Sequence, residues 1–117
     1  MADYVKASEL HEELSKSLVA GELTPKAIQF CMKINTEIHY KKLRYKDPAD
    51  REDCMAGAML DIILYWKNFK PIINGVKTNA FAYVTTILKN GSGKMYKKIH
   101  PASSKLKISI ENIHTLV

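Results

Sequence analysis

Residues 47–66 read DPADREDCMAGAMLDIILYW, and this stretch decides the fold. Its first two residues are typical of a helix start, because an Asp side chain can cap free N–H groups and proline suits the first helical position. The acids at positions 50, 52 and 53 suit the positive end of the helix dipole. Apolar side chains then recur at helical spacing, so the sequence predicts a helix that runs to about Trp66.

Two faces of this predicted helix are apolar, which is more than one buried face requires. One stripe is predicted to face the core of the domain, and it contains Met55, Met59, Ile62, Ile63 and Trp66. The other face places small residues beside large ones, and it contains Ala56, Gly57, Leu60, Leu64 and Tyr65. Small residues let another helix approach closely. The second face is therefore predicted to be either a docking surface for a partner or the contact surface of a helix enclosed by its own bundle.

Helix start and stop signals predict three more helices. Thr24-Pro25 repeats the cap-and-proline start of a helix that extends to about Leu43. Before it, Ser8 is predicted to cap an amphipathic helix that Gly21 ends.

The fourth predicted helix follows a break around residues 71–75. Thr78 or Asn79 is predicted to cap it, because both have a short polar side chain. It runs through Ile99 and is closed by His100-Pro101, since a proline disfavours helical geometry in the residue before it.

The chain as a whole has the length and composition of one globular domain. It has 117 residues, of which 46% are hydrophobic and 26% are charged, as is usual for a folded protein. We predict an all-α fold class, with a compact bundle of about four helices over residues 1–101 and a C-terminal tail over 102–117 that is a candidate partner-binding segment. The polar N-terminus lacks the apolar core of a signal peptide and no run is long enough to span a bilayer, so we expect a cytoplasmic protein without membrane contact.

Basic charge is concentrated in the second half of the chain. Residues 1–61 hold nine Lys or Arg against eleven Asp or Glu, whereas residues 62–117 hold nine Lys against Glu111 alone. All nine lysines of the second half are therefore predicted to lack a local salt-bridge partner. Such a field favours a polyanion, and nucleic acid is the predicted partner.

Patterns associated with catalysis or cofactors are incomplete in this sequence. Residues 90–94, NGSGK, lack the glycine and the hydroxyl residue that a phosphate-binding P-loop requires at positions 88 and 95. The spacing of cysteines and histidines fits no disulfide framework, metal site or catalytic pair, so we predict no enzyme, no metal and no cofactor. The cysteines are predicted to be buried and the histidines to have surface or capping roles: Cys31, Cys54, His11, His39, His100 and His114.

The order of these features resembles the second conserved region of bacterial sigma factors. The resemblance is carried by an apolar helix ending in residues 66–69, WKNF, and by residues 79–85, NAFAYVT, which lead into a lysine-bearing helix. It begins near Asp3-Tyr4-Val5, is clearest over residues 52–99, and is closest to the late-gene sigma factors of T-even-like bacteriophages.

The resemblance implies two binding surfaces. In that family the helix corresponding to residues 52–66 docks on the clamp-helix coiled coil of the largest RNA polymerase subunit, and the helix corresponding to residues 79–99 engages the −10 promoter element. The implied docking residues are Asp53, Ala56, Gly57, Leu60 and Ile63. The implied contacts with opened promoter DNA are Tyr83, stacking on an unpaired base, and Thr86, Ile87, Lys89, Asn90 and Lys94, with Lys97 and Lys98 continuing along the phosphates.

The sequence also departs from the family pattern. Thr86-Ile87 stand where housekeeping sigma factors carry a tandem Trp pair, so the resemblance does not imply melting by a Trp wedge. Gly91 and Gly93 are predicted to mark a kink or a close approach to DNA. The family further implies a co-activator and the sliding clamp as partners, the latter through a short apolar C-terminal peptide that corresponds to Ile113, Leu116 and Val117.

The leading hypothesis is a minimal phage-type sigma factor that directs host RNA polymerase to a short AT-rich promoter element. Two alternatives stay open. An autonomous helical repressor would read duplex DNA with residues 79–99 and bind it without polymerase. A polymerase-binding transcription inhibitor would not read DNA, and its activity would survive removal of the lysines.

Overall fold

The computed structural model describes residues 5–100, and these residues form the predicted four-helix bundle. The all-α fold class is confirmed. The predicted tail, with its candidate peptide, lies outside the described residues. The helices are α1 at Ala7–Ala20, α2 at Pro25–Glu37, α3 at Pro48–Tyr65 and α4 at Ala80–Ile99.

Three of the four helix starts use the predicted caps. The side chains of Thr24, Asp47 and Asn79 accept a backbone N–H of the first turn at 3.2, 2.9 and 3.0 Å. The prediction that Ser8 caps α1 is wrong, because the Lys6 carbonyl already accepts the first helical hydrogen bond. No side chain caps this helix at its N-cap residue.

The end of α2 is one wide turn that the sequence analysis did not predict. Residues Ile38–Lys42 form a π-helical turn, in which the N–H of Leu43 donates to the carbonyl of Ile38 at 2.8 Å. This turn carries His39, whose side chain is fully buried. The helix reaches the predicted end, but with a changed phase over its last residues.

The link between α3 and α4 contains a small hairpin where only a break is predicted. A 3-10 turn, Trp66–Asn68, is followed by β1 at Ile72–Ile73 and β2 at Val76–Lys77, which pair antiparallel. The connecting residues Asn74 and Gly75 both have positive φ, 52° and 78°. That backbone is the one a tight two-residue hairpin requires, which is why Asn-Gly is favoured there.

All four helices contribute to one core. Both cysteines are buried and free, as predicted, and burial raises the pKa of the Cys31 thiol to about 12. The largest fully buried apolar side chains are Leu10, Leu14, Ile34, Ile62, Val84 and Leu88.

The inner face of α3 differs in part from the predicted stripe. Ile62 and Trp66 are buried as predicted, but Ile63 is 59% exposed, so its assignment to the core is wrong. The reason is that α3 turns its smallest residues toward α4. Those buried small residues are Cys54, Gly57 and Ala58.

The most extensive contact in the bundle joins α3 to α4, and two glycines make it possible. A Cβ on Gly91 would lie 2.8 Å from the carbonyl oxygen of Gly57 and 2.9 Å from the Cα of Ala58. Gly57 is therefore a packing residue and does not belong to an exposed docking face. Gly91 marks a close approach to α3; α4 continues through it without a break, so the predicted kink is wrong there.

A buried hydrogen-bond network joins the π-helical turn to α4. His39 Nδ1 lies 2.9 Å from the carbonyl oxygen of Asn35, so it carries the hydrogen and donates. Nε2 is then free to accept from the Ser92 hydroxyl at 2.8 Å, and Ser92 Oγ accepts from the Tyr45 hydroxyl at 2.9 Å. The predicted surface or capping role is wrong for His39, and it is confirmed for His100, the C-cap residue of α4.

This network makes stability depend on pH. Burial lowers the pKa of His39 from its ordinary value of 6.5, so between that value and the folded-state pKa the unfolded chain binds a proton that the folded protein does not. The free energy of unfolding should fall as the pH drops below about 6.5, by at most about 1.4 kcal/mol per pH unit from this group. Urea denaturation from pH 8 to pH 5 measures the slope.

His39→Gln is the comparison for this slope. At pH 8 the variant reports only the loss of packing and hydrogen bonds, and at lower pH it should lose less stability than the unmodified protein. Parallel curves for the two proteins across the whole pH range would contradict the assignment.

Candidate functional site

The outer side of α3 leaves a row of apolar side chains in solvent. Leu60 is 52% exposed and Leu64 is 59% exposed, beside the exposed Ile63. The helical spacing of these residues places them on one stripe. The alternative that α3 is enclosed by its own bundle is wrong for this stripe within residues 5–100. We call it the outer α3 face: Asp53, Ala56, Leu60, Ile63 and Leu64.

The exposed side of α4 carries four of the eight predicted DNA-binding residues. Its members recur every three or four residues and therefore share one side of the helix. Gly93 lies among them, and a Cβ built there meets no atom within 4 Å, so the backbone itself is open at this point. We call this stripe the outer α4 face: Thr86, Lys89, Asn90, Gly93 and Lys97. Lys98 is also exposed, on a different side of the helix.

A groove with a volume of 510 Å³ lies between α3 and α4. Its α3 wall is formed by Asp61 and Tyr65. Ile87, predicted to contact DNA, is half-buried in its α4 wall. Three lysines border the groove: Lys89, Lys94 and Lys97.

An ion pair crosses this groove. Lys94 Nζ lies 2.8 Å from Asp61 Oδ2 and 5.2 Å from the centroid of the Tyr65 ring. The hydrogen bond to Asp61 raises the pKa of Lys94. The prediction that these lysines lack a local partner is therefore wrong for Lys94, because the close α3–α4 contact brings Asp61 beside it. The remaining lysines between residues 62 and 100 form no ion pair with any residue in the described range 5–100.

Tyr83 is held more firmly than the sequence predicts. Its hydroxyl donates to the carbonyl oxygen of Tyr65 at 2.9 Å, and its ring lies 5.2 Å from that of Phe69. Burial raises the pKa of its hydroxyl. Tyr83 is half-buried and held between α3 and the following turn, and its stacking on an unpaired base stays a prediction.

Tyr65 is the exposed aromatic residue that the predicted DNA site omitted. The sequence places it four residues after Asp61 on α3, and both side chains face the groove. The four-residue spacing from Asp61 indicates that Tyr65 lies on the same side of α3. Only the packing of α3 on α4 shows that Tyr65 borders the lysines of α4.

Comparisons with protein-family models, with curated proteins and with solved structures found no match for this chain. Within residues 5–100, the helices are too short or too polar for any of them to cross a membrane.

Proposed function

We propose that this protein is a minimal phage-type sigma factor. It binds bacterial core RNA polymerase through the outer α3 face and directs it, in the host cytoplasm, to a short AT-rich −10-like promoter element through the outer α4 face. One observation carries the proposal: an open apolar stripe and an acid-free basic stripe lie on two helices that are packed directly against each other.

The outer α3 face supports the polymerase contact. Four of the five docking positions that the family resemblance implies lie on it, and Leu64 adds a further apolar side chain. A row of exposed apolar side chains on a helix fits a partner helix pair, because burying them removes apolar surface from water on both sides. The clamp helices are a partner of this kind.

The outer α4 face supports the DNA contact. Lys89 and Lys97 are free to reach phosphates, and Asn90 between them can donate and accept hydrogen bonds at a base edge. The open backbone at Gly93 lets a strand come close. Because few cations are involved, binding to DNA alone should be weak and salt-sensitive, with a slope of about −0.7 per phosphate contact on single strands.

Retention of core polymerase followed by run-off transcription tests the proposal. The tagged protein should retain core polymerase, and the complex should give a transcript from a template with an AT-rich −10-like element but none from a scrambled element. Failure to retain core polymerase would overturn the proposal. A sequence-specific gel shift on duplex DNA without polymerase would instead support the autonomous repressor.

Replacing Lys89, Lys97 and Lys98 by Ala should abolish the promoter-specific transcript while core polymerase is still retained. Lys94 is left in place, because its removal would strand the nearly buried Asp61 carboxylate and mix a stability defect with a binding defect. The measurements are run-off transcription and the same retention assay. A promoter-specific transcript that persists undiminished in the triple variant would contradict the assignment of these lysines to promoter DNA.

A further inference from the structure

The turn that joins α2 to α3 carries a cluster of basic residues. The net charge of residues 1–61 does not reveal this cluster, because acids in the same half offset it. Residues 41–51 contain five Lys or Arg against two Asp. Of the eleven acids of the first half, four lie on α1 and in the turn after it, two lie within this segment, and three follow it on α3. The five cations are Lys41, Lys42, Arg44, Lys46 and Arg51.

Four of the acids near this cluster are engaged by other groups. Glu37 pairs with Lys41 at 3.2 Å, Asp50 Oδ2 bonds to His100 at 2.7 Å, and Glu52 accepts from the Tyr40 hydroxyl at 2.9 Å. Asp47 caps α3. Four cations of the cluster form no ion pair within residues 5–100. One of them, Arg51, lies over an aromatic ring, and the charge of the other three is available to a ligand: Lys42, Arg44 and Lys46.

Arg44, Lys46 and Arg51 border a cleft of 510 Å³ with aromatic rings in its wall, and the exposed Lys42 directly precedes Leu43, which also lines the cleft. Arg51 lies over the ring of Tyr40, 4.4 Å from its centroid, and Tyr40 is exposed. Stacked rings and guanidinium planes beside free cations are the components with which proteins bind single-stranded nucleic acid. The cleft has the volume range of sites that enclose a small ligand or one nucleotide.

The cleft is held against α4. The Tyr45 hydroxyl bonds to Ser92, and its ring lies 6.0 Å from that of His39 and 6.5 Å from that of Tyr96. The turns of α4 that receive Tyr45 also carry Lys89 and Lys97. The cleft is therefore held against the same helix that carries the outer α4 face.

We propose that this cleft, which we call the α2–α3 cleft, binds a nucleotide of single-stranded nucleic acid, with its base on the Tyr40–Arg51 pair and its phosphates on Lys42, Arg44 and Lys46. The inference deepens the proposed function and rests on it for the source of the strand. A nucleic-acid strand bound to the outer α4 face would make a second contact with the protein in this cleft. An anionic membrane surface would need apolar side chains around these cations, and the cleft offers tyrosines and Leu43 only.

The test uses the full chain and a fluorescently labelled oligo-dT, with anisotropy measured across a range of salt concentrations. Changing Lys42, Arg44 and Lys46 together to Ala should weaken binding and make the salt slope shallower by about two, since each contact contributes about 0.7. The matched control removes three exposed lysines outside the cleft that form no ion pair within residues 5–100, Lys33, Lys70 and Lys77, and should leave the slope unchanged. Equal slopes for the two triple variants would overturn the proposal, as would an unmodified chain that shows no binding at low salt.

Tyr40 separates stacking from a purely ionic contact. Tyr40→Ala should weaken binding roughly tenfold or more without changing the salt slope, and Tyr40→Phe should restore it. Unchanged affinity in Tyr40→Ala would limit the cleft to phosphate contacts and overturn the nucleotide assignment. Stronger binding to anionic vesicles than to oligo-dT would overturn it in favour of a membrane.

Retention of core polymerase by the cleft variants distinguishes the two proposals. A protein that binds oligo-dT through the cleft but never retains polymerase contradicts the sigma-factor proposal alone. A protein that retains polymerase and transcribes, with oligo-dT binding indifferent to the cleft variants, contradicts this inference alone.

Discussion

Gly91→Ala should lower the free energy of unfolding by about 3 kcal/mol, even though alanine is the better helix former. The added Cβ would lie 2.8 Å from the Gly57 carbonyl oxygen and 2.9 Å from the Cα of Ala58. Both are backbone atoms and cannot rotate aside, so α3 and α4 would have to separate along their whole contact. Urea denaturation followed by far-UV circular dichroism measures the loss.

Gly93→Ala is the matched control, two residues further along the same helix. Because a Cβ there meets no atom within 4 Å, only the gain in helix propensity remains, and the variant should be more stable by up to about 1 kcal/mol. Two alanine variants with equal urea midpoints would show that the tight α3–α4 contact does not exist.

Leu60→Asp should abolish retention of core polymerase without unfolding the protein. The side chain is half in solvent, so the expected change in the free energy of unfolding is within about 0.5 kcal/mol. In the proposed complex, however, the new carboxylate would be buried against an apolar partner. A loss of at least about 2 kcal/mol, or roughly 30-fold in affinity, is expected from a central interface position.

Val19→Asp is the control for that experiment, since Val19 is an apolar residue on α1 that is 91% exposed. It introduces the same charge on a helix that the proposal leaves free. Unimpaired retention by Leu60→Asp, or equal impairment by both variants, would remove the assignment of the outer α3 face. Circular dichroism on both variants checks that the fold is retained.

The helices could be predicted because the residues that start a helix lie next to it in the sequence. Thr24, Asp47 and Asn79 stand where a cap is required, and a side chain that bonds a neighbouring N–H needs no knowledge of the rest of the fold. The Asn-Gly hairpin was equally local and was missed only because the residues around it read as a simple break. Here the sequence contained the signal and the interpretation did not use it.

Other features could not be predicted from residues that are neighbours in the sequence. The burial of Gly57 and Gly91 and the pairing of Lys94 with Asp61 all arise from the rotation of α3 against α4, which helical spacing does not fix. The same rotation exposes Ile63, which helical spacing had assigned to the core. His39 and Ser92 are 53 positions apart, and the π-helical turn that brings them together has no known signature in these residues.

The glycine contact has a mechanical consequence. Where Gly91 meets Gly57 and Ala58, no side chain separates the two backbones, so rocking or sliding of α3 against α4 would disrupt this contact. A large partner bound to the outer α3 face would therefore also fix the position and orientation of the outer α4 face. The distance between the two binding surfaces would then be set by the fold of the protein itself.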